Sequence, residues 1–257
     1  MTEINFKIVT AGKVDILRDE NYKMARMVWH DFMLHDPVAN YFTDLFSEPE
    51  LMKYQFALIE PDTDKIIAIG NSVPLLWEDK IENLPDDGWD WALAKGIDDY
   101  RNKRKPNLLC AIQIMVHPDR HGQGLSSKAV TVMRGIAKQN NLDGLIAPVR
   151  PTKKCDYPLI PIDNYIKWTN GEDLPFDPWL RVHARLGAKI IKSCPRAMTI
   201  PGTVSEWEEW TKMKFPESGR YTIPGALVPV NIDRENDKGV YIEPNVWMHH
   251  EFENNEL

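Results

Sequence analysis

The organisation of this chain is clearest around residues 116–127, which read VHPDRHGQGLSS. Gly122 and Gly124 permit backbone conformations and close approaches that a Cβ atom would prevent. Their N–H groups would converge with the first unpaired N–H groups of a following helix, whose dipole adds positive potential at the same point. The stretch therefore predicts a cradle for a phosphate or pyrophosphate group. A tight turn into a helix, without any ligand, is the alternative, because a G-x-G pattern has low specificity.

Regular elements flank this loop on both sides. Residues 108–116 (LLCAIQIMV) form an apolar run that ends before Pro118, which predicts a buried strand. Residues 126–140 carry apolar side chains at helical spacing, and residues 144–149 form a second short apolar run. Strand, loop, helix and strand make a βαβ unit, so we expect the two strands to run parallel with a right-handed crossover.

Strands and helices are also indicated elsewhere in the chain. Before the loop, the patterns predict a strand at 5–10, a helix at 15–34, a hairpin at 55–69 and a helix at 87–100. After it, they predict a helix with Asp177 as N-cap and Gly187 as its stop, then short strands at 189–191 and 198–200.

The order of strand, proline, glycine-rich loop and helix after an antiparallel hairpin resembles the GNAT superfamily of acyl-CoA-dependent N-acyltransferases. The family signature is Val-x-Pro, then after two residues Arg or Gln, two further residues, Gly, one residue, and Gly or Ala. Val116, Pro118 and Gly124 match it, whereas His121 stands at the Arg/Gln position and Ser126 at the last position. Both departures are compatible with phosphate binding, because the family's contacts are mostly backbone N–H groups and serine suits a helix N-terminus.

The resemblance implies an α/β (α+β) fold with a mixed, partly open central sheet flanked by helices. It covers roughly residues 5–192 and leaves residues 193–257 as a C-terminal extension. Of the 19 prolines, 12 lie in the last 110 residues, but no linker divides the chain. We therefore expect residues 1–257 to form a single domain.

The resemblance also implies where acyl-CoA binds. The end of the strand before the loop would offer its backbone to pantetheine, in the gap where the two parallel strands diverge. One N–H group there would hold the thioester oxygen as negative charge develops on it. The expected acyl-CoA-binding residues are Ile114, Met115, Val116, His121, Gly122, Gln123, Gly124, Leu125, Ser126 and Ser127.

A candidate catalytic residue follows from residues 182–188 (VHARLGA), which are similar to a second family pattern. Where the family has a tyrosine that acts as general acid toward the departing CoA thiolate, this chain has His183. A histidine with the ordinary pKa of about 6.5 suits proton transfer at neutral pH. The alternative is that His183 packs beside Trp179 and Leu186 and only forms hydrogen bonds.

The sequence does not identify a general base. Families of this type often place a carboxylate on the strand at 108–116, but this strand carries Gln113, which does not accept a proton usefully. Asp156, Asp163, Glu172 and a water chain are all left as alternatives.

The segment after residue 150 is rich in loops. Arg150, Lys153 and Lys154 follow a strand end where a ligand would lie, so they can contact CoA phosphates or an acidic acceptor. A solvated basic loop is the favoured interpretation. Residues 151–177 lack periodicity and predict the acceptor pocket or a lid. The tryptophans of this half are expected mainly to pack rather than to line a pocket.

Composition narrows the partners. The formal net charge of −7 argues against binding to nucleic-acid backbones. An odd number of cysteines, three, without metal or redox spacing favours a reducing cytoplasm, and no apolar segment is long enough for a signal peptide or a membrane span. His117 and His121 are four apart, but Pro118 between them argues against helical geometry and a metal site.

The predicted function is acyl-CoA-dependent N-acyl transfer, with acetyl-CoA or another acyl-CoA as co-substrate. The amine of a small molecule would attack the thioester directly in a ternary complex. A non-catalytic acyl-CoA-binding module is one alternative, because the family's tyrosine and strand carboxylate are missing. An O-acyltransferase on the same scaffold is another, because a fold does not determine a reaction. The oligomeric state stays open, a homodimer being one alternative.

Overall fold

The computed structural model of the protein describes residues 5–13 and 17–252. Within these residues the strands join in one sheet. The strands are β1 (Lys7–Thr10), β2 (Phe56–Ile59), β3 (Ile66–Leu75), β4 (Leu108–Val116), β5 (Gly144–Val149), β6 (Lys189–Gly202), β7 (Gly219–Tyr221), β8 (Val230–Asp233) and β9 (Lys238–Glu251). The α-helices are α1 (Leu17–Val28), α2 (Phe42–Ser47), α3 (Pro49–Met52), α4 (Gly88–Arg101), α5 (Leu125–Gln139), α6 (Ile162–Tyr165), α7 (Pro178–Arg185) and α8 (Val204–Thr211). Short 3-10 helices lie at Ala11–Lys13, Asp31–His35, Pro37–Tyr41, Ile81–Asn83, Pro118–Arg120 and Lys154–Asp156.

The sheet is open and mostly antiparallel. Its strand order is β1-β2-β3-β4-β5-β9-β8-β7, and β6 pairs with β9. Among the described strand pairs, β4 and β5 alone run parallel. The predicted hairpin is present as β2 and β3, and the predicted βαβ unit as β4, α5 and β5. The predicted mixed sheet flanked by helices is therefore confirmed.

The two faces of the sheet are covered by different helices. On one face, α5 buries Ala129, Val130 and Met133 in a cluster that also holds Leu58 and Leu109 of the sheet. On the other face, α1 and α4 contribute to a larger apolar cluster. The spacing of apolar residues in α5 predicts that one face of the helix is buried, and that face is the surface that packs against the strands.

The first predicted helix is shorter than expected. It was predicted over 15–34, but α1 ends at Val28 and a separate 3-10 helix begins at Asp31; residues 15 and 16 lie outside the described residues. His30 is extended, with ψ 144°, and Asp36 is extended before Pro37. A residue before proline avoids the helical region, so the chain turns here in short segments rather than in one helix.

Two predicted strands are one. The stretches at 189–191 and 198–200 both belong to β6, which runs through Pro195. The pairing with β9 shifts register between Cys194 and Met198, so the proline lies at an irregularity. Proline lacks the N–H that a regular ladder needs, and such a bulge accommodates it.

The C-terminal extension supplies strands to the centre of the sheet. β9 pairs with β5 through residues 246–251, and its other partners are β6 and β8. A single domain over residues 1–257 stays a prediction.

Candidate active site

The central feature of the site is the divergence of β4 and β5. The two parallel strands pair only at Leu108–Cys110 with Gly144–Ile146. Beyond that point both strands line a cavity of about 890 Å³, β4 through residues 111–114 and β5 through residues 147–149, followed by Arg150. The edge of β4 that faces β5 therefore has no strand partner along the cavity.

A bulge lies on β4 where the cavity opens. Asn71 of β3 pairs with Gln113, but the next residue, Ser72, pairs with Ala111, so Ile112 is the extra residue. Trp89 of α4 holds this bulge, because its Nε1 donates to Ile112 O at 2.8 Å. A bulge re-aims backbone groups, and here it does so beside the cavity.

The glycine-rich loop follows β4 and begins α5. Gly122 and Gly124 have φ of 76° and 75°, in the left-handed region, and a Cβ at either would meet nothing within 4 Å. The first backbone bond of α5 runs from Lys128 N to Gly124 O at 3.2 Å. The N–H groups of the three preceding helical residues, Leu125, Ser126 and Ser127, therefore have no intrahelical acceptor.

The other expected acyl-CoA-binding residues differ in their surroundings. Ile114 lines the cavity, whereas the side chain of Met115 is fully buried in the core. His121 turns back along the loop, with Nε2 3.1 Å from Val116 O. Binding of acyl-CoA by these residues stays a prediction.

His183 lies in the cavity wall beside a second histidine. It is 1% exposed, and its Nδ1 is 3.0 Å from Nε2 of His250 on β9. Trp179 packs edge-on against it at 4.5 Å between ring centroids. Burial, with a smaller contribution from His250, lowers the pKa of His183 to about 3. The imidazole is therefore neutral at neutral pH, contrary to the ordinary pKa assumed from the sequence.

A buried ion pair forms the far end of the cavity. Arg150 Nε lies 3.0 Å from both carboxylate oxygens of Glu243, and Tyr241 donates its hydroxyl to the same carboxylate at 2.8 Å. Arg150 also donates to Gly225 O at 2.6 Å. Burial raises the pKa of Glu243, and the neighbouring Arg150 opposes that shift. Both side chains line the cavity.

Polar atoms without partners surround the cavity. Asp36 Oδ2, Gln113 Oε1 and Asn245 Oδ1 are buried and accept no hydrogen bond from the described residues, and Trp29 Nε1 donates none. All four residues line the cavity. Buried polar groups are nearly always hydrogen-bonded, so these three acceptors and one donor are available to a ligand or to water in the cavity.

Known proteins resemble this chain in sequence and in structure. No family model matches the chain. The fold resembles the loading GNATL domain of CurA from Lyngbya majuscula, with a TM-score of 0.62, 18% identity and coverage of 96% of this chain and 98% of that one. A curated relative, Arginine N-acetyltransferase avaD from Aspergillus versicolor, is 34% identical over 92% of this chain and 89% of its own length. The chain belongs to the GNAT superfamily.

A second solved structure has the same fold. The GphF GNAT-like decarboxylase in complex with isobutyryl-CoA has a TM-score of 0.56 and 12% identity, and covers 96% of this GNAT chain and 98% of its own. The enzyme described here is an acyl-CoA-dependent N-acyltransferase that acts on an amine. The predicted family, fold and reaction class are confirmed.

Two of the three basic residues after β5 are not solvated in this GNAT enzyme, whereas Lys153 is exposed. Arg150 is in the buried ion pair, and Lys154 is fully buried, with Nζ donating to Tyr157 O and Leu227 O at 2.7 Å each. The interpretation as a solvated basic loop is wrong for both, because partners from distant segments cover them. Within the described residues, none of 151–177 lines the cavity. That segment instead packs the aromatic rings of Tyr157, Tyr165, Trp168 and Phe176 together.

Sequence reasoning missed the acidic wall of the cavity. Asp36 and Glu243 line the cavity, and Asp90 lies near Asp36. The three residues are on segments far apart in the chain, and none belongs to a motif. The single local signal was Asp36 before Pro37, which reads as an N-cap, and its Oδ1 does accept from Val38 N at 2.8 Å. What distinguishes these carboxyl groups is their burial, which depends on the tertiary structure.

The described part of the chain contains neither a cluster of metal-ligating side chains nor a membrane-spanning helix. No group of three or more His, Cys, Asp or Glu side chains there is placed to hold a metal ion. None of the helices within residues 5–13 and 17–252 is both long enough and apolar enough to cross a bilayer.

Proposed function

We propose that this enzyme transfers the acetyl group of acetyl-CoA to an amino group of arginine or of a closely similar cationic amino acid. The observation that carries the proposal is the set of buried acceptor oxygens in the cavity, from Asp36, Gln113 and Asn245. Ammonium and guanidinium groups carry several donors and no acceptor, so they match this wall. The relative named for arginine supports the same acceptor.

The charges around the cavity support a cationic acceptor. Arg150 and Glu243 neutralise each other at the far end. Asp36 is 3% exposed and has no cation among its hydrogen-bond partners in the described residues. A cationic acceptor would offset this buried carboxylate, whereas an anionic one would add to its charge.

For acyl-CoA we propose the loop and strand identified from the sequence. The unpaired N–H groups at the start of α5, together with the loop around Gly122 and Gly124, would bind the pyrophosphate. The free edge of β4 from Ile114 to Val116 would bind pantetheine as an added strand does. An N–H group of the bulged strand would then stabilise the oxyanion.

For His183 we propose a hydrogen bond from its neutral imidazole toward the leaving sulfur. The side chain lies in the cavity wall and pairs with His250, so its orientation is restrained. A neutral N–H group can stabilise a developing thiolate without being charged beforehand. His183→Ala is expected to lower kcat while leaving the Kd of acetyl-CoA within about threefold, because oxyanion-type donors act mainly on the transition state. An unchanged kcat would contradict this role.

The acceptor is tested by measuring CoA release with acetyl-CoA and a matched set of amines. L-citrulline is the decisive control, because it retains the shape of arginine but has a neutral side chain. We expect kcat/KM for arginine to exceed that for citrulline by at least about tenfold, the loss of one charged hydrogen bond. Mass spectrometry of the product identifies the acetylated nitrogen. Equal rates with citrulline, or turnover restricted to uncharged amines, would contradict a cationic acceptor.

A further inference from the structure

Two carboxyl groups lie close together beside the cavity, and of the two only Asp36 lines it. Asp36 precedes a 3-10 helix, and its Oδ1 accepts from Val38 N at 2.8 Å. Asp90 lies in the first turn of α4, and its Oδ2 accepts from Thr199 N at 3.0 Å. The other oxygen of each, Asp36 Oδ2 and Asp90 Oδ1, is buried and receives no donor from the described residues. Each carboxyl group influences the pKa of the other, so the two lie close together, and one proton shared by the pair would keep two negative charges from meeting there.

Both carboxyl groups have raised pKa values, so the pair retains a proton near neutral pH. Burial raises the pKa of Asp36 to about 6. Burial, and then the charge of Asp36, raises the pKa of Asp90 to about 8. Glu243 faces Asp36 and Asp87 lies near Asp90, and both negative charges act in the same direction. The pair thus holds one proton and one negative charge near neutral pH, and Asp36 is the member that lines the cavity.

The pair lies near the bulged part of β4, where acyl-CoA is proposed to bind. Asp36 lines the same cavity as the bulged part of β4. Asp90 follows directly after Trp89, whose Nε1 holds Ile112 O of that bulge. The same turn of α4 therefore holds the bulge of β4 through Trp89 and carries Asp90, the carboxyl group next to Asp36. Asp36 itself is 3% exposed, so a ligand in the cavity would have little competition from bulk water for its carboxylate.

We propose that Asp36 is the general base that takes the proton from the ammonium group of the acceptor, and that Asp90 is its positioning partner. An amine attacks a thioester through its lone pair, so one N–H bond of the ammonium must first break, with its proton going to an Asp36 oxygen. The C–N bond then forms and the C–S bond breaks. The nitrogen loses a second proton while the CoA thiolate gains one, and the proton on Asp36 is released to solvent. The overall reaction releases one proton.

The pair suits this task better than an isolated carboxylate would. A general base works best when its pKa is near the operating pH, and burial brings Asp36 closer to that range than an ordinary aspartate. The proton on Asp90 keeps a second negative charge out of the site. The proposal rests on acyl transfer to an amine, and not on arginine being that amine.

The first test replaces the base. Asp36→Asn retains a good N-cap before Pro37, so the loop keeps its backbone support. We expect kcat to fall by about 100-fold or more at pH 7, the range for loss of a general base. The acidic limb of the kcat profile should also disappear, so that the rate rises with pH without a plateau. Asp98→Asn is the matched control, because Asp98 lies on the exposed side of α4, the helix that carries Asp90. This variant should behave as the wild type.

The second test does not depend on the folding of that variant. Asp90→Asn keeps a donor toward Asp36, as protonated Asp90 does, whereas Asp90→Leu removes it. Loss of a hydrogen bond to the charged form raises the pKa of the base. The acidic limb of kcat should therefore stay in place in Asp90→Asn and move to higher pH in Asp90→Leu.

The outcomes separate the two proposals. If Asp36→Asn raises only the KM of the acceptor, with kcat and its pH profile unchanged, Asp36 binds a cation and is not the base. An acidic limb at the same pH in Asp90→Asn and Asp90→Leu would also overturn the role of the pair. If arginine is not acetylated, the proposed acceptor fails, and the same profiles are measured with whichever amine of the panel is turned over.

Discussion

Arg150 Nε lies 3.0 Å from both carboxylate oxygens of Glu243, a residue that is fully buried and 93 positions away in the chain. The pair joins the end of β5 to β9 at the far end of the cavity. Burial of either charge alone would be unfavourable. Each of the two segments therefore depends on the other to bury its charged side chain.

Breaking this pair should destabilise the protein strongly. Glu243→Gln leaves the Arg150 guanidinium buried without a counter-charge, and we expect the free energy of unfolding to fall by about 3 kcal/mol. Urea unfolding measures the change. Glu172→Gln is the matched control, because its pair with Arg185 is exposed on both sides, and exposed pairs contribute little. Equal effects of the two substitutions would contradict the burial of the Arg150–Glu243 pair.

The two buried histidines should make stability depend on acidity. Burial lowers the pKa of His183 to about 3 and that of His250 to about 4. The unfolded chain binds protons on both below about pH 6.5, whereas the folded chain does not. The stabilisation is therefore complete above that pH and is lost as the pH falls toward 4.

This dependence is measured by urea unfolding at a series of pH values. His250→Gln removes one of the two titrating groups, so between pH 6 and 4 its slope of stability against pH should be flatter by about one proton. The variant will start from a lower stability, since His183 loses its partner. A slope identical to that of the wild type would mean that these histidines do not carry the effect.

Gly124 should matter to CoA binding in a way that another left-handed glycine does not. Gly124 has φ +75° and Gly187, after α7, has φ +87°, and a Cβ at either meets no atom within 4 Å. Alanine at either position costs similar backbone strain, about 1 kcal/mol. Calorimetry should show CoA binding weakened about tenfold or more by Gly124→Ala, where the backbone would approach a phosphate, and unchanged by Gly187→Ala. Equal binding by both variants would contradict a phosphate site at the loop.

Two helical glycines should respond to alanine with opposite signs. A Cβ on Gly96 of α4 would lie 2.3 Å from Val73 Cγ2 and 3.1 Å from Pro74 O, whereas one on Gly135 of α5 would meet nothing within 4 Å. We expect Gly96→Ala to destabilise by about 1–3 kcal/mol through overpacking. Gly135→Ala should stabilise by about 0.5–1 kcal/mol through helix propensity. Thermal unfolding decides between these signs, and a gain in Tm for Gly96→Ala would contradict the close approach of α4 to β3.

The elements around the loop could be predicted because their signals are local. The bounds of β4 and β5 agree with the sequence prediction, and α5 begins one residue early. Asp177 caps α7 as expected, with Oδ1 accepting from the N–H groups of Trp179 and Leu180. In each case the signal is apolar spacing, a capping side chain, a glycine or a proline, and all of these act within a few residues.

The sequence proposed residues for the acyl-CoA side of the site, which stay a prediction, and did not point to the carboxyl groups around the cavity. Gly122 and Gly124 have the left-handed backbone that a phosphate cradle needs. The proposed acceptor cavity is lined by Asp36 and Glu243, and no short stretch of sequence contains both. Residues 151–177, where the acceptor pocket was expected, pack an aromatic cluster instead.

The amino-acid sequence alone was sufficient for the βαβ unit, because backbone conformation and hydrophobic periodicity are properties of neighbouring residues. The family and the reaction class came from the resemblance of its short motifs to those of the GNAT superfamily. Tertiary structure was needed to lower the pKa of His183, to bury Arg150 against Glu243 and to raise the pKa values of Asp36 and Asp90. Each of these depends on the loss of water around a charged or titratable group and on a partner from a distant segment. The free energy of a charge is set by that environment, and only the folded chain creates it.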